Sequence, residues 1–331
     1  MRILATPLDW GLGHSTRLIP IIERHIEAGD EVLIAGSGRS LKLLRSVFPE
    51  LKVLKLRSFS PRFSSIFGQW LMIALQSPIF LLYIYYERIS TWRIVRKYGI
   101  DEIISDNRYG VRSSRCRSSI ITHQLSPIPW SGSSGLINKL LSKIIGRWIS
   151  RFDVCLVPDF ASDGKGLSGR LSVSKYVSCP IEYIGMLSRL SAVEASDNVQ
   201  VDVLAIISGP EPQRTEFEHL LLLLSKNNNR KYLIINGKVD DSRHKFDNVT
   251  IVGNATAREL ASYIKSVRTI ICRSGYSTLM DLMTLERRAI LVPTPGQAEQ
   301  EYLAERCKEF GFESVEQKNF VDFCTQKFAI A

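Results

Sequence analysis

The chain has 331 residues, of which 45% are hydrophobic and 23% are charged, and this balance excludes a disordered protein. At roughly 150 residues per domain, the length predicts two domains. Residues 1–190 contain 26 Lys and Arg against 14 Asp and Glu, whereas residues 191–331 contain 17 against 19. The positive excess therefore belongs to the first half, where it favours a phosphorylated substrate, an anionic lipid or nucleic acid as partner.

Nucleic acid is the weakest of these partners, because the sequence contains no RRM signature, zinc-finger spacing or basic-region heptads. We therefore predict no nucleic-acid partner. The six cysteines form no CxxC pair, which favours buried thiols in a reducing compartment. The N-terminus lacks a basic region followed by a long apolar run, so no signal peptide is predicted. Together these features predict a cytoplasmic protein.

Strand and helix patterns alternate along the whole chain. The first half places strands at MRILAT, EVLIAG, LKVLKL, IDEIIS, SSIITH and DVCLVP, and the second half at VDVLAIISG, KYLIING, VTIVG, RTIIC and AILVP. This alternation predicts the α/β class, with two facing Rossmann-like domains that each contain a parallel sheet flanked by helices. We expect an N-terminal domain at 1–187, a linker at 188–200 and a C-terminal domain at 201–331.

The segment between Arg62 and Glu87 contains no charged residue in 24 positions. A run of this length is a transmembrane candidate, but Pro78 would break or kink a helix. We therefore expect a pair of helices over 64–86 that partly faces lipid or an apolar acceptor. A membrane span and a buried helix pair are the alternatives.

A predicted helix over 138–151 carries Lys139, Lys143, Arg147 and Arg151 at intervals of four residues. This stripe borders an apolar face that includes Trp148, a combination typical of a helix at an anionic membrane surface. A core helix with a solvated charged edge is the alternative. We predict that the N-terminal domain associates peripherally with the inner face of the cytoplasmic membrane.

The first motif, Gly11-Leu12-Gly13-His14-Ser15-Thr16-Arg17, joins the first strand to the first helix. Its glycines allow a tight turn and leave amide groups at a helix N-terminus, where negative charge is favoured. A dinucleotide fingerprint needs Gly or Ala where Thr16 stands, which disfavours NAD(P). His14 could act as a general base, since the pKa of histidine lies near working pH. A histidine bonded only to neighbouring backbone is the alternative.

Two polar segments follow strands of the first half. In Ser105-Asp106-Asn107-Arg108-Tyr109-Gly110, Asp106 could orient His14 or bind an acceptor hydroxyl, although a simple capped turn is also compatible with the pattern. The other segment is Thr122-His123-Gln124, where a structural histidine is the alternative.

The motif at 271–281, Ile-Cys-Arg-Ser-Gly-Tyr-Ser-Thr-Leu-Met-Asp, joins a strand to a helix in the second half. Gly275 and the hydroxyl groups of Ser274, Ser277 and Thr278 can offer donors to a diphosphate at the helix N-terminus. Asp281 follows one turn later, where its carboxylate could accept both ribose hydroxyls. The segment at 292–301 then places amide and acid side chains that suit sugar hydroxyls, although a solvated helix start alone would also explain it.

The C-terminal half resembles the family 28 glycosyltransferases, which have the two-domain GT-B fold and include a peptidoglycan N-acetylglucosaminyltransferase. The resemblance implies that the motif at 271–281 binds a nucleotide diphosphate, with Asp281 on the ribose in place of the more usual Glu. It also implies that the loop at 208–210 closes over the phosphates and that Gly253 and Asn254 meet the base. The implied donor-binding residues are Gly13, Gly209, Arg214, Asn254, Arg273, Ser274, Gly275, Ser277, Thr278, Asp281, Gln297, Gln300 and Glu301.

The N-terminal half resembles the same family more weakly. The GLGH motif matches the family's first glycine-rich loop, which implies that His14 is the catalytic base. Asp106 is its expected partner because of its place at a strand end, not because of the resemblance. Two departures affect the acceptor side: Gln124 cannot act as a base, and 105–110 has bulky polar residues where the family has glycines. The implied acceptor-binding residues are Asn107, Arg108, Tyr109, His123, Gln124 and Asn138.

The expected activity is an inverting transfer of a sugar from a nucleotide diphosphate donor, UDP by resemblance, to a lipid-linked or amphipathic acceptor. The chain contains no DxD motif, so we predict no metal ion and no cofactor besides the nucleotide-sugar co-substrate. Closure of the two domains over the donor would exclude water. A UDP-sugar epimerase using Glu299 and Glu301 is one alternative. An inactive protein that binds nucleotide sugars or lipid phosphates is the other.

Overall fold

The computed structural model describes residues 1–60, 69–128, 135–191, 200–209, 211–238 and 242–330. Contacts between Cα atoms divide the chain into two compact units, Met1–Leu187 and Ser188–Ala331. Most of the predicted linker, together with the first residues of the predicted helix pair and Pro210 of the predicted phosphate loop, lies outside the described residues. The linker and the roles given to the two domains remain predictions.

The described part of the first unit contains four α-helices, and its seven strands form one parallel sheet. The helices are α1 (Leu12–Glu27), α2 (Gly38–Val47), α3 (Gln69–Tyr98) and α4 (Gly135–Ile149). The strands are β1 (Arg2–Thr6), β2 (Glu31–Gly36), β3 (Lys52–Lys55), β4 (Glu102–Asp106), β5 (Arg117–Ile121), β6 (Val154–Val157) and β7 (Ile181–Tyr183). Their order across the sheet is β3-β2-β1-β4-β5-β6-β7.

The described part of the second unit contains five α-helices and a second sheet of seven strands. The helices are α5 (Gln213–Lys226), α6 (Ala257–Ser266), α7 (Tyr276–Thr284), α8 (Ala298–Arg306) and α9 (Phe320–Ile330). The strands are β8 (Val203–Ile206), β9 (Tyr232–Ile235), β10 (Arg243–Phe246), β11 (Val249–Val252), β12 (Thr269–Cys272), β13 (Ile290–Leu291) and β14 (Glu313–Ser314). Their order is β10-β11-β9-β8-β12-β13-β14, and the β10–β11 pair alone is antiparallel. The predicted fold class is confirmed.

The central strands are short apolar runs because helices cover both faces of each sheet. In β1, Ile3 and Leu4 point to opposite faces, and each is at most 1% exposed. Ile3 packs with Leu18 and Ile22 of α1, whereas Leu4 belongs to a second core cluster with Val95 of α3. Burial on both faces fixes the register of these strands, and with it the positions of the loops that follow them.

α3 is a single helix of 30 residues, so the expected pair of helices is wrong. Pro78 lies inside it on the exposed side. Because proline has no N–H group, one carbonyl of the preceding turn has no partner in the helix. Water can bond this carbonyl on the exposed side, so the helix continues through Pro78. Among the described residues, no helix combines the length and the apolar character needed to cross a membrane.

Each sheet has one topological switch point, where neighbouring strands continue into connections on opposite faces. This point lies between β1 and β4 in the first unit, and between β8 and β12 in the second. The diverging connections leave a crevice at the carboxyl ends of these strands, and open α/β sheets bind their ligands in such crevices. The loops that border the two crevices are those that follow β1, β4, β8 and β12.

Candidate active site

The loop between β1 and α1 is held against the start of α2. The carboxylate of Asp9 accepts a hydrogen bond of 3.0 Å from the Ser40 amide, and the Ser40 hydroxyl donates to the Leu8 carbonyl at 3.0 Å. Gly38 has a φ of +59°, and a Cβ there would lie 1.7 Å from an Asp9 oxygen. Only glycine allows this close approach, which fixes the loop that leads into the first turn of α1.

Three side chains meet at the first switch point. His14, in the first turn of α1, places its Nδ1 atom 2.7 Å from Oδ1 of Asp106, the last residue of β4. Arg17, one helical turn after His14, donates from Nε and Nη2 to both carboxylate oxygens of Asp106. Asp106 is fully buried, whereas the side chain of His14 remains 20% exposed. The structure thus brings the two predicted catalytic residues together and adds an arginine that the sequence analysis missed.

The charges of this cluster determine which atoms carry protons. Burial alone would raise the pKa of Asp106, but the charge of Arg17 and the hydrogen bonds from Arg17 and His14 outweigh it and hold that pKa below its usual value. Burial lowers the pKa of His14, as does Arg17, and this outweighs the opposite effect of Asp106. At neutral pH, His14 is therefore neutral beside an ionised carboxylate.

The tautomer of His14 follows from its neighbours. Nη2 of Arg17 lies 2.9 Å from Nδ1 of His14, but a guanidinium group only donates hydrogen bonds. The ionised carboxylate of Asp106 can only accept hydrogen bonds. Nδ1 of His14 must therefore carry the proton and donate it to Asp106. Nε2 then keeps its lone pair, and the imidazole is arranged as a proton acceptor.

Arg108, predicted to bind the acceptor, is instead buried in the protein, with 1% of its surface exposed. Its Nε atom donates to Glu87 of α3 at 2.9 Å, and Nη2 donates to the carbonyls of Leu56 and Arg57. The side chain therefore ties the loop after β4 to α3 and to the end of β3. This burial removes Arg108 from the predicted acceptor-binding set and gives it a structural role.

Gly110 explains why the loop after β4 can pack so closely on α3. A Cβ at this position would lie 2.3 Å from the Ile84 carbonyl oxygen and 2.6 Å from Cβ of Glu87. The Gly110 amide donates to Glu87 at 3.3 Å. A side chain at this position would therefore push the loop away from α3.

The remaining predicted acceptor residues lie at or near this edge of the sheet, except for the one on α4. Asn107 has a φ of 55°, and its side-chain oxygen accepts a bond of 3.4 Å from the Tyr109 hydroxyl. Burial raises the pKa of Tyr109, so its hydroxyl stays neutral. His123 is buried two residues after β5. Gln124 is half-buried beside it, and Asn138 is half-buried in α4.

An aromatic cluster, not predicted from the sequence, surrounds Tyr109. Tyr109 lies 5.2 Å from Trp148 of α4 and 6.5 Å from Phe80 of α3, measured between ring centroids. Phe80 also contacts Phe59 at 5.4 Å and Trp10 at 6.1 Å. Trp10 is 42% exposed and precedes the glycine loop that contains His14. The first switch point is therefore bordered by aromatic rings as well as by charged groups.

The second switch point presents a helix start without charged side chains. Gly275 caps α7, no side chain bonds to this cap, and the first turn contains no acidic residue. A Cβ at Gly275 would meet only the Ser208 hydroxyl of the loop after β8, at 3.9 Å. Ser277 and Thr278 follow, both partly exposed. Helix N-termini of this kind bind anions through backbone amides.

Arg273, predicted to contact the donor, is completely buried. Its guanidinium group stacks 4.1 Å over the ring of Phe217 and donates to the carbonyls of Val292, Pro293 and Gln213. Burial lowers its pKa to about 10, so it remains charged at neutral pH. Arg273 thus holds the loop after β13 against α5, and its burial removes it from the predicted donor-binding set.

The loop after β13 is bonded to the start of α8. The Gln300 side chain accepts from the Thr294 amide at 3.0 Å and donates to the Gln297 side chain, and its backbone carbonyl accepts from Ser274 at 2.7 Å. Glu301 accepts from the Gly296 amide at 2.9 Å. These predicted sugar-binding side chains therefore form one connected group beside the start of α7.

Asp281 lies in the middle of α7 and accepts a hydrogen bond from the Ser188 hydroxyl. Burial raises its pKa to about 6, and the bond to Ser188 and the charge of Arg189 oppose this shift only in part. The carboxylate is therefore ionised at neutral pH and becomes protonated in mildly acidic solution. Its partners show that the segment at 188–189 packs directly on the predicted ribose site.

The other predicted donor residues follow further strands of the second sheet. Gly209, after β8, has a φ of +107°. Arg214 is paired with Glu211 and lies near the Gly237 carbonyl. Asn254, after β11, is half-buried. Because β8, β9, β11, β12 and β13 are parallel, all these loops lie at the same edge of the sheet. Among the described residues, no group of three His, Cys, Asp or Glu could hold a metal ion.

The fold of the whole chain is that of known GT-B glycosyltransferases. Arabidopsis thaliana UGT89C1, solved with UDP-L-rhamnose, is similar with a TM-score of 0.62 at 13% identity, over 96% of this chain and 85% of that one. Acinetobacter baumannii MurG is similar with a TM-score of 0.55 at 11% identity, over 99% and 90% of the two chains.

Sequence comparison defines the class further. Residues 213–318 match the glycosyltransferase family 28 C-terminal domain. An uncharacterized glycosyltransferase from Methanosarcina acetivorans is 22% identical over 333 residues, which cover 94% of this chain and 84% of that protein. The chain is a glycosyltransferase of the GT-B type, similar to family 28, and it uses a nucleotide sugar.

Proposed function

We propose that this glycosyltransferase moves a sugar from a UDP-sugar to a hydroxyl group of a lipid-linked or amphipathic acceptor, with inversion and without a metal ion. The observation that carries the proposal is the arrangement of His14, Asp106 and Arg17. A neutral imidazole is bonded through Nδ1 to an ionised carboxylate, and Nε2 remains able to accept a proton. This is the chemistry that activation of a hydroxyl nucleophile requires.

In the proposed reaction, Nε2 of His14 removes the proton from the acceptor hydroxyl. The hydroxyl oxygen forms a bond to the anomeric carbon as the bond from that carbon to the diphosphate oxygen breaks. UDP leaves with the electron pair of the broken bond, and His14 later releases its proton to solvent. A single displacement of this kind inverts the configuration of the anomeric carbon. The absence of a DxD motif from the sequence supports a metal-independent route.

The second unit supplies the proposed donor site. Negative charge develops on the leaving diphosphate, and the amides at the start of α7 would stabilise it together with the hydroxyls of Ser277 and Thr278. Asp281 would accept the ribose hydroxyls, and Asn254 would lie near the base. We assign the sugar to the group formed by Gln297, Gln300 and Glu301. The resemblance to family 28 and the UDP-L-rhamnose bound by UGT89C1 support UDP as the nucleotide.

Exposed apolar side chains of α3 and α4 support an acceptor at a membrane surface. Leu75, Leu82 and Tyr85 of α3 are 66–68% exposed, and Leu136 of α4 is 79% exposed. The two helices are neighbours, since Phe80 contacts Trp148. The basic stripe of α4 lies beside them, with Lys139, Lys143 and Arg147. Apolar side chains beside cations fit an anionic bilayer, so we propose peripheral association with the inner face of the cytoplasmic membrane.

The reaction is tested with purified protein, a panel of UDP-sugars and lipid-linked acceptors. We expect UDP to be released only when donor and acceptor are both present, and NMR of the product to show an inverted anomeric centre. Release of UDP without an acceptor would indicate hydrolysis, and conversion of the UDP-sugar into its epimer would indicate the alternative enzyme class. Retention of configuration would contradict the single displacement.

Membrane association is tested by vesicle co-sedimentation of the full chain. Leu82→Glu and Leu136→Glu place a charge on the exposed apolar face and should release the protein from vesicles that contain anionic lipid. Leu223→Glu is the matched control, because Leu223 is 52% exposed on α5 of the other unit. Binding that is independent of anionic lipid and salt, or equally sensitive to all three variants, would contradict the proposed surface.

A further inference from the structure

Three arginines of the first unit converge without a carboxylate between them in the described part of the chain. Arg88 lies on α3, Arg112 follows Gly110 in the loop after β4, and Arg151 follows α4. Arg88 donates from Nη1 to the backbone carbonyl of Arg112. The side chains of Arg88 and Arg112 are half-buried, and Arg151 is exposed.

The packing of the surrounding elements forces this convergence. Gly110 lies in contact with Ile84 and Glu87, which brings the loop after β4 against α3 just before Arg88. Tyr109 contacts Trp148, which brings the same loop against α4 one turn before Arg151. These contacts of neighbouring residues hold the chain at Arg112 between the chain at Arg88 and the chain at Arg151.

None of the three arginines has an acidic partner among the residues that the structure describes. Glu87, the carboxylate next to Arg88 in sequence, is already bonded to Arg108 and to the Gly110 amide. The guanidinium of Arg112 makes no hydrogen bond to a described residue, although it carries five N–H donors. Burial, together with the charges of Arg88 and Arg151, lowers the pKa of Arg112 to about 10. The protein therefore holds like charges together, at a cost in stability that an anion would offset.

We propose that Arg88, Arg112 and Arg151 form a binding site for a phosphoryl group, either inorganic phosphate or the phosphate of a lipid headgroup. A phosphoryl group carries up to two negative charges on several oxygens, so it can accept hydrogen bonds from several guanidinium forks at once. A single carboxylate would neutralise only one of the three arginines. The site lies on the unit that carries the exposed apolar faces of α3 and α4, but it does not depend on sugar transfer.

Equilibrium binding of inorganic phosphate to the full chain, at constant ionic strength, tests the site. Arg112→Gln should weaken phosphate binding by about tenfold or more, because it removes charge-assisted hydrogen bonds. Arg93→Gln is the matched control, since Arg93 is an exposed arginine of α3 outside the cluster. Arg151→Gln, at an exposed position, repeats the test if Arg112→Gln does not fold.

Vesicles distinguish the two sources of the phosphoryl group. One set combines phosphatidylcholine with phosphatidic acid, and the other replaces the phosphatidic acid by a fatty acid at equal surface charge. Capture by phosphatidic acid that is lost in Arg112→Gln, without measurable binding of inorganic phosphate, would support the site with a lipid as its source. If Arg112→Gln and Arg151→Gln match Arg93→Gln with both phosphate and vesicles, the proposal is overturned.

Discussion

The two sheets share one strand order around their switch points, yet the loops at these points differ in chemistry. Between β1 and β4, a buried carboxylate holds an arginine and a histidine. Between β8 and β12, a glycine precedes a helix whose first turn contains no charged side chain, and Arg273 faces the core. The same topology therefore supports a proton acceptor in one unit and a site for an anion in the other.

This difference follows from where the side chains near each switch point direct their hydrogen-bond donors. In the first unit, His14 and Arg17 lie on one face of α1, so both reach the end of β4. In the second unit, Arg273 and Gln300 direct their donors to backbone carbonyls and neighbouring side chains, which leaves backbone amides at the start of α7. Substitutions in the first unit should therefore change turnover, and substitutions in the second should change donor binding.

His14→Ala should produce the largest effect. Loss of the proposed base should lower kcat by about 10²–10⁴-fold and leave the Kd for UDP unchanged. His25→Ala is the matched control, because His25 lies on the same helix and is also bonded to an aspartate, Asp30. Steady-state kinetics and calorimetric UDP titration measure both quantities. Full activity of His14→Ala would show that His14 is not the catalytic base. Absence of turnover in the wild type would favour an inactive binding protein.

Gly275→Val should weaken nucleotide binding at the second switch point, between β8 and β12. A Cβ at this position meets only the Ser208 hydroxyl at 3.9 Å, so the valine should fit the free protein. It should nevertheless block the approach of a diphosphate to the start of α7 and weaken UDP binding by about tenfold to a hundredfold. Gly135→Val is the control, because no atom lies within 4 Å of its added Cβ. Unchanged UDP affinity in Gly275→Val would place the diphosphate elsewhere.

Arg17→Gln should show whether Arg17 sets the pKa of His14 or only supports the local structure. Arg17 lowers the pKa of both His14 and Asp106, so its removal should raise both. The acid limb of the kcat/KM profile should then move to higher pH, and on that limb the rate at a given pH should fall about tenfold for each pH unit that the limb moves. Arg17→Lys should keep the limb in place, and Arg24→Gln, on the exposed side of α1, should change nothing. A lower rate with an unmoved limb would indicate a structural role alone.

Asp281→Asn should have the smallest effect. The pKa of Asp281 is about 6, so the wild type should lose UDP affinity as the pH falls through this value and the carboxylate is protonated. The variant should bind UDP about tenfold more weakly at pH 7, and it should lose less affinity than the wild type between pH 7 and pH 5, because only the terminal phosphate of UDP then still titrates, near pH ~6. Since the raised pKa makes the ionised carboxylate destabilising above pH 6, the Tm of the variant at pH 7 should not decrease. An equal loss of affinity in the variant and the wild type would assign the titration to another group.

The alternating pattern of the sequence was sufficient to predict the fold and the edge of each sheet at which the loops meet. Polar residues at strand ends and glycine before a helix are local features, so His14, Asp106 and Gly275 could be selected without a structure. The juxtaposition of His14 and Asp106 follows from the switch point, because β1 and β4 are neighbours.

The burial of the two arginines could not be predicted in the same way. Arg108 is neutralised by Glu87, 21 residues away, and Arg273 bonds to carbonyls 19 and 20 residues away. Such partners depend on packing between elements, so a buried arginine and a ligand-binding arginine look alike in sequence. The continuity of α3 through Pro78 likewise depends on which side of the helix faces solvent.

The central claim is that the second unit binds the nucleotide, whereas the first unit carries the catalytic base. Hydrogen exchange of the full chain with and without UDP tests this claim most directly. We predict that UDP gives its largest protection in the segment at 274–281, with further protection after β8 and β11. Protection confined to the glycine loop and first turn of α1, with 274–281 unchanged, would contradict it.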